Sequence, residues 1–332
     1  MRRVAINGLG RIGRIVAKLM ADRPDIDLVA FNDLTDTATL AHLIKYDSNY
    51  GIYGGTVTYD ETSLTLQGKK IAVYKEKDPS KLPWGELGVD VVVEATGFFT
   101  KKEGAQLHLS AGAKKVIITA PSSDADAVLC LGVNEELYDP ASHHIISNGS
   151  CTTNCIAPIV KVLEDSYGIE DAFFHTIHSY TSTQKIHDAP DKDLRKGRGA
   201  FQSMIPTSTG ADKTIVALFP QLKDHIKGIA TRVPTPTVSE LSLIVRPKVS
   251  TDLPSVLAAL RARAALVPQV LEVTDESLVS IDFKGNPHSA IVDVKECYMV
   301  GDRLIHILGW YDNEMGYSNR VVDMTHYVLS RP

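Results

Sequence analysis

The sequence predicts a two-domain α/β chain: a parallel-sheet N-terminal domain followed by an α+β domain with a mostly antiparallel sheet. Three observations carry this expectation. At 332 residues the chain exceeds the size at which a single hydrophobic core stops growing. Over the first 150 residues, short β-branched runs alternate with helical patterns, as they do in βαβ units. After about residue 167 the apolar runs lengthen and alternate with polar residues, the pattern of strands whose sheet is covered on one face.

In chain order, the first half offers strands at Val4 to Asn7, Leu28 to Asn32, Val89 to Gly97, "KKVIITAP", "AVLCLGV" and "HHIISN". Helical patterns run from Arg11 to Asp22 and from Lys102 to Ala111. A helix over 151 to 166 separates the halves. Strands then follow at "DAFFHTIHSYT", "IKGIATRVPT", "SELSLIVRPK", "ESLVSIDF" and "RLIHILGWY", with one helix at "LPSVLAALRARAA" and a terminal helix from Gly316 to Leu329.

Composition removes several function classes. The balance of 35 basic against 40 acidic residues, a formal net charge of −5, argues against a nucleic-acid partner. No apolar stretch approaches a membrane span, and the N-terminus lacks a cleavable export signal, so a cytoplasmic protein with no membrane partner is expected. The four cysteines Cys130, Cys151, Cys155 and Cys297 are too few for a disulfide framework and form no metal-like pair with histidine, so no metal is expected.

"INGLGRIGR" places Gly8, Gly10 and Gly13 in G-x-G-x-x-G spacing, directly after a strand and opening a helix. Such glycines allow a tight turn, close backbone approach to a pyrophosphate, and close helix-to-strand packing, while the helix N-terminus offers free N–H groups. "LVAFND" ends a second strand at Asp33, 20 residues past Gly13, the usual distance to a ribose-binding acid. A helix-capping carboxylate in a βα loop is the bland alternative for Asp33. The combined pattern favours a Rossmann dinucleotide site.

"SNGSCTTNC" puts Cys151 at the start of a helix, where the macrodipole favours thiolate and lowers the thiol pKa. Cys155, one turn inside, reads as core. His175 and His178 are candidate bases near the end of a strand; their odd separation puts them on opposite faces, so only one serves the thiol. Hydroxyls and cations suited to anions follow at Thr181, Thr183, Arg195, Lys196, Arg198, Thr207, Ser208, Thr209, Gly210 and Arg232. On composition alone, the charge run "DKDLRKGRG" reads as a solvated loop.

Taken together, "SNGSCTTNC", "HSYTSTQK", "IPTSTGADK", "RVPTPTVS" and "WYDNEMGYSNRVVD" resemble the phosphorylating glyceraldehyde-3-phosphate dehydrogenase family, and the resemblance spans the chain. It implies an NAD-binding Rossmann domain over 1–150, with the C-terminal helix 315–332 returning to it, a catalytic domain over 151–314, and a homotetramer. It further implies that Cys151 is the nucleophile and His178 its base, acting on glyceraldehyde 3-phosphate and inorganic phosphate through a thioester. Thr181, Thr183 and Arg232 match the substrate-phosphate site; Ser150, Thr152, Thr209 and Gly210 match the site of the attacking phosphate. Arg195, Lys196 and Arg198 compete for a phosphate contact. Gly8, Gly10, Arg11, Ile12, Gly13, Asp33, Lys77, Thr96, Gly97 and Thr119 match NAD-binding positions, and Asn313 matches the residue that orients the nicotinamide amide. The chain departs from the commoner pattern at Leu9, Gly149 and Ala189. Erythrose-4-phosphate dehydrogenase, with the same catalytic pair, is the alternative within the superfamily. A cysteine hydrolase would leave the span from Gly8 to Asp33 without a use, and a non-catalytic NAD-binding or RNA-associated protein would leave the Cys/His pair without one.

Overall fold

The computed structural model describes residues 2–331, which form two compact units. The first comprises the residues up to Ser150 together with those from Ser318 on; the second runs from Cys151 to Tyr317. Met1 and Pro332, the outer ends of the two segments expected to form the NAD-binding domain, lie outside the described residues.

In the first unit, β1 (Arg2–Asn7), α1 (Arg11–Ala21) and β2 (Ile26–Asn32) form a βαβ unit, followed by α2 (Thr37–Lys45) and a short pairing of β3 (Tyr46–Asp47) with β4 (Gly51–Ile52). Then come β5 (Val57–Tyr59), β6 (Ser63–Leu66), β7 (Lys69–Tyr74), β8 (Val91–Glu94), α3 (Lys102–Ser110), β9 (Lys115–Ile118), β10 (Ala127–Val128) and β11 (Ile145–Ser147). The sheet order is β10-β11-β9-β8-β1-β2-β7-β6-β5, parallel throughout except where β6 and β5 add an antiparallel edge. From β1 the chain winds outward through β2 on one side and β8 on the other, which opens a crevice at the carboxyl ends of β1 and β8. β8 ("VVVE") is buried throughout, as a strand covered on both faces must be. Trp84 is fully buried among Ala5, Ala30, Val89 and Val92, and its indole N–H donates to His108 Nδ1 at 3.0 Å. From Ser318 on, the last helix is tied into this unit: His326 pairs with Asp25 at 2.7 Å, Asp323 with Arg23 at 3.7 Å, and Tyr327 meets the edge of Tyr138.

The second unit opens with α4 (Cys151–Tyr167) and β12 (Ile169–Ser179). Next come β13 (Ile205–Thr207), α5 (Ala211–Leu218), β14 (Ile226–Val233), β15 (Ser239–Pro247), α6 (Leu253–Leu266) and β16 (Leu271–Thr274). It closes with β17 (Ala290–Asp293), β18 (Tyr298–Val300), β19 (Leu304–Tyr311) and α7 (Met315–Ser330), which continues into the first unit. The sheet order is β13-β14-β12-β15-β19-β17-β16, with β18 against β19. All pairings are antiparallel except β12 with β14 and β16 with β17. Alternation is visible in β15, where Ser239, Leu241, Leu243 and Val245 are buried and the residues between them are not. α4 covers the buried face with Ile156, Ile159, Val160 and Leu163; at Gly309 of β19 an added Cβ would lie 3.4 Å from Ile159.

One expected strand is absent and several are shortened, one of them to two residues. "ESLVSIDF" forms no strand but ends in a 3₁₀ turn, Ser280–Phe283, because the Asp282 carboxylate accepts from Val279 N–H and folds the chain back. "AVLCLGV" pairs only over Ala127–Val128. Beyond it, the Asn134 side chain accepts from the N–H of Cys130 and donates to the carbonyl of Val128, drawing the backbone out of the ladder. Among the described residues, no helix is long and apolar enough to cross a membrane.

Candidate active site

The first unit builds a nucleotide cleft from strand register. Asn7 pairs with Asn32 on one side and Glu94 on the other, so three polar side chains meet at the carboxyl ends of β1, β2 and β8. Asn32 donates to Asn7 Oδ1 at 2.7 Å, and Asn7 donates to Glu94 Oε2 at 2.6 Å. His108 adds its Nε2–H to the same carboxylate at 3.0 Å, a tautomer fixed by the indole N–H of Trp84 on Nδ1. The other Glu94 oxygen takes the N–H and hydroxyl of Thr96.

Above this network lies the glycine turn. Gly8 has φ +93°, and a Cβ there would sit 2.7 Å from the N of Thr96. A Cβ on Gly13 would come 1.9 Å from the Gly8 carbonyl oxygen, so this glycine is required for helix-to-strand packing. Gly10 differs: a Cβ there would meet nothing within 4 Å and would project into open space at the start of α1, which no side chain caps. That is the arrangement a pyrophosphate needs. Asp33 is held in place by Leu9 N–H at 2.7 Å and Thr35 N–H at 2.9 Å. Gly8, Gly10, Asp33, Lys77 and Thr96 line one cleft of about 550 Å³ with Asn7, Asn32, Glu76, Phe98 and Phe99. These residues fit a dinucleotide. Arg11, Ile12, Gly13, Gly97 and Thr119 do not line it: the Arg11 guanidinium turns to Asp47 at 2.9 Å, and Thr119 binds the Glu94 carbonyl.

In the second unit, Cys151 is the first residue of α4 and His178 the penultimate residue of β12. Gly149, two residues before the thiol, has φ +63°, a left-handed conformation that favours glycine. Cys151 Sγ lies 3.4 Å from His178 Nε2. His175 faces away, its Nε2 on the Thr231 hydroxyl at 2.8 Å. Cys155 is fully buried, and burial pushes its thiol well above the ordinary range.

Burial competes with the helix start at this thiol. Burial raises the Cys151 thiol above its ordinary pKa. The Arg232 cation, the Thr152 hydroxyl and N–H, and its own N–H at the helix start only partly offset this. The helix-end effect is present, but desolvation outweighs it. His178 is pushed down to about 3, first by burial and then by Arg232, so at neutral pH it is an uncharged imidazole rather than an imidazolium. Arg232 reaches the ring because β12 and β14 run parallel with His178 directly opposite Arg232. Its Nη1 lies 2.7 Å from His178 Nδ1 and 3.0 Å from the Ser179 carbonyl oxygen.

Tyr311 is a site residue that pattern reading passes over. Its hydroxyl joins those of Thr152 at 2.9 Å and Thr176 at 2.8 Å, and its ring stands edge-on to His178. Thr152 is thereby committed to the thiol's own surroundings. Asn313, buried, receives hydrogen bonds on Oδ1 from Ser179 at 2.8 Å and Ser239 at 3.2 Å.

The anion-holding residues are gathered only in part. Thr181 and Thr183 hydroxyls meet at 2.9 Å just beyond β12. Arg195 and Thr209 line a separate cavity of about 690 Å³ at the sheet edge beside β13. Lys196 pairs with Asp193 at 4.0 Å and Arg198 with Asp188 at 2.9 Å, leaving Arg195 without an acidic partner among the described residues. Neither Arg195 nor Lys196 hydrogen-bonds to Cys151, His178 or Arg232. Gly210 opens α5, whose N-terminus has no side-chain cap. Ser150 immediately precedes the thiol.

Comparison with known proteins decides the family. Residues 2–102 match the model described as the NAD binding domain of glyceraldehyde 3-phosphate dehydrogenase, and residues 150–313 match the model of its C-terminal domain. The chain belongs to the glyceraldehyde-3-phosphate dehydrogenase family. It is 48% identical to glyceraldehyde-3-phosphate dehydrogenase of Geobacillus stearothermophilus over 99% of this chain and 98% of that one. It is 47% identical to the enzyme of the same name from Streptomyces coelicolor, over 98% of both chains, and to glyceraldehyde-3-phosphate dehydrogenase 1 of Bacillus cereus over 100% and 99%. Family membership gives both halves a use: a dinucleotide cleft in one unit and a thiol–imidazole pair in the other.

Proposed function

We propose that this chain oxidises D-glyceraldehyde 3-phosphate with NAD and inorganic phosphate, giving 1,3-bisphosphoglycerate through a thioester on Cys151. The carrying observation is the 3.4 Å approach of Cys151 Sγ to His178 Nε2 at the start of α4. NAD, held by the glycine turn, the N-terminus of α1 and Asp33, supplies the hydride acceptor. The neutral pair means that Cys151 loses its proton as it attacks rather than beforehand. Sulfur bonds to the aldehyde carbon, giving a hemithioacetal. His178 takes the hydroxyl proton as the carbon gives up hydride, leaving a thioester. A phosphate oxygen then attacks the thioester carbon, and the Cys151 thiolate departs.

Thr181, Thr183 and Arg232 hold the substrate phosphate, and Ser150, Thr209 and Gly210 the attacking one. Arg195 serves the latter, because Lys196 and Arg198 are engaged by Asp193 and Asp188 while Arg195 shares a cavity with Thr209. Thr152 acts on the thiol instead. Asn313 offers its amide to the nicotinamide carboxamide. The enzyme works in a reducing, cytoplasmic setting with all four cysteines free. It assembles as a homotetramer, with further copies covering apolar side chains left exposed in the second unit, among them Phe173, Leu194, Phe201, Met204 and Ile229.

Cys151→Ser tests the reading. Turnover with glyceraldehyde 3-phosphate, NAD and phosphate should nearly vanish while NAD still binds, and Cys155→Ser should change little. Normal turnover in Cys151→Ser would overturn it.

A further inference from the structure

A chain of buried polar side chains runs beneath the nucleotide cleft, and the mechanism proposed above makes no use of its inner end. His108, on α3, is fully buried. The Trp84 indole N–H can only donate, so His108 Nδ1 is bare and the ring proton sits on Nε2, 3.0 Å from Glu94 Oε2. The same oxygen accepts from Asn7 Nδ2 at 2.6 Å, and the other one accepts the N–H and hydroxyl of Thr96. Asn7 Oδ1 in turn accepts from Asn32, whose own Oδ1 accepts from Glu76 N–H at 2.8 Å. No lysine or arginine pairs with Glu94 among the described residues, so these four donors hold its carboxylate unaided.

Packing alone does not call for this arrangement. The surrounding core is apolar, with Ala5, Ala30, Val89 and Val92 packed on Trp84, and apolar groups in place of a buried polar pair are commonly neutral or stabilising. The outer members of the chain, by contrast, converge on one place: Asn7, Asn32, Glu76 and Thr96 all line the cleft. Phe99, in the wall of the same cleft, stands edge-on to the His108 ring with 6.3 Å between centroids. Thr96 is also where the glycine turn rests, since a Cβ on Gly8 would lie 2.7 Å from its N. Any shift of Thr96 therefore moves the turn or opens a gap beneath it.

We propose that His108 is a positioning residue for the cofactor: through Glu94 it fixes Thr96 and Asn7, and with them the floor on which the glycine turn and the dinucleotide rest. The inference depends on the reading of this cleft as the dinucleotide site. His108 touches no reacting atom, so it governs cofactor affinity and leaves the chemical step alone. Without its N–H, the buried Glu94 carboxylate is one donor short. It then turns to recover a partner, and Thr96 and Asn7 move with it.

The test is calorimetric titration of the full-length, cofactor-free enzyme with NAD and with ADP-ribose, which lacks the nicotinamide, alongside thermal unfolding and steady-state kinetics. His108→Leu removes both the donor and the acceptor, His108→Gln keeps one of each, and Trp84→Phe removes only the N–H that fixes the tautomer. His108→Leu should bind both ligands about tenfold more weakly, the scale of one lost hydrogen bond to a charged group. Its kcat at saturating NAD and its KM for glyceraldehyde 3-phosphate should not change. His108→Gln should recover most of the lost affinity, and Trp84→Phe should show the same pattern as His108→Leu to a smaller extent. Should His108→Leu fail to fold, Trp84→Phe carries the test. A lower Tm with wild-type affinity would make His108 an ordinary core histidine and overturn the inference, as would a loss confined to NAD and absent for ADP-ribose. Gly10→Ala separates the inference from the reading beneath it. If Gly10→Ala weakens NAD binding while the His108 and Trp84 variants bind normally, only the inference is wrong. If none of these variants loses affinity, the cofactor does not occupy this cleft and both readings fall.

Discussion

Replacing Arg232 by Met tests the electrostatic account of the thiol. Methionine keeps an apolar stem of similar reach and removes the charge. The cation connects to the sulfur through two short links, 2.7 Å from Nη1 to Nδ1 and 3.4 Å from Nε2 to Sγ. Allowing for the imidazole between them, the guanidinium is within about 8 Å of Sγ, and at an effective dielectric near 20 this favours thiolate by roughly 2 kcal/mol. One pKa unit is about 1.4 kcal/mol, so after screening the Cys151 midpoint should rise by about 0.7 to 1.5 pH units in the variant. The assay is the pH dependence of alkylation by iodoacetamide, a neutral reagent that does not itself respond to the arginine. Below the midpoint the variant should react about 5- to 30-fold more slowly. Cys155 is too buried to contribute. An unchanged midpoint would refute the through-space stabilisation. A lower one would mean that Arg232 acts chiefly by keeping His178 uncharged, and that an imidazolium forms once it is gone.

Four other outcomes are expected. His178→Asn should reduce turnover by about 10² to 10⁴ yet move the alkylation midpoint less than Arg232→Met does. The same change should flatten acid destabilisation: the unfolded chain protonates histidine near pH 6.5 but the folded site resists to about 3, so wild-type stability is lost as pH falls through that window, by on the order of 3 kcal/mol at pH 4, measurable by urea unfolding. Gly10→Ala should keep the wild-type Tm while weakening NAD binding about tenfold or more, whereas Gly13→Ala, whose Cβ meets the Gly8 carbonyl, should lower Tm outright; equal effects on Tm would contradict the assigned roles. Asp33→Gly should narrow a clear preference for NAD over NADP, because a carboxylate fixed by Leu9 and Thr35 repels a 2′-phosphate by roughly 4 kcal/mol per charge pair at 4 Å before screening; comparable kcat/KM for both cofactors in the unmodified enzyme would remove Asp33 from the choice.

What was legible in the sequence is what local spacing dictates. The glycine triplet with Asp33, the helix start at Cys151, and the odd separation of His175 and His178 each follow from the period of a strand or helix. In the structure the two histidines do point to opposite faces, one to Thr231 and one to the sulfur. What was not legible depends on register between distant strands. Arg232 touches His178 only because β14 lies parallel to β12 with those residues opposite, a pairing 54 positions apart that no local pattern announces. The same holds for Asn7, Asn32 and Glu94 beneath the cleft, and for Tyr311 between Thr152 and Thr176. Strand assignment failed where a side chain captured the backbone, as Asn134 and Asp282 do, a competition that apolar alternation does not register.

The thiol's pKa shows why sign, and not only position, lay beyond the sequence. A helix start and a nearby base argue for thiolate, and both are present. Burial acts on the same sulfur in the opposite direction and prevails, and it acts with Arg232 to hold the imidazole neutral. The single cation therefore has two opposed effects: it stabilises negative charge on Cys151 and opposes positive charge on His178. A bound substrate phosphate would neutralise that cation and reverse both, weakening the thiolate's support while letting His178 become the stronger base. On the proposed mechanism this suits a thiol that gives up its proton as it attacks, and an imidazole that takes one up afterwards from the hemithioacetal hydroxyl.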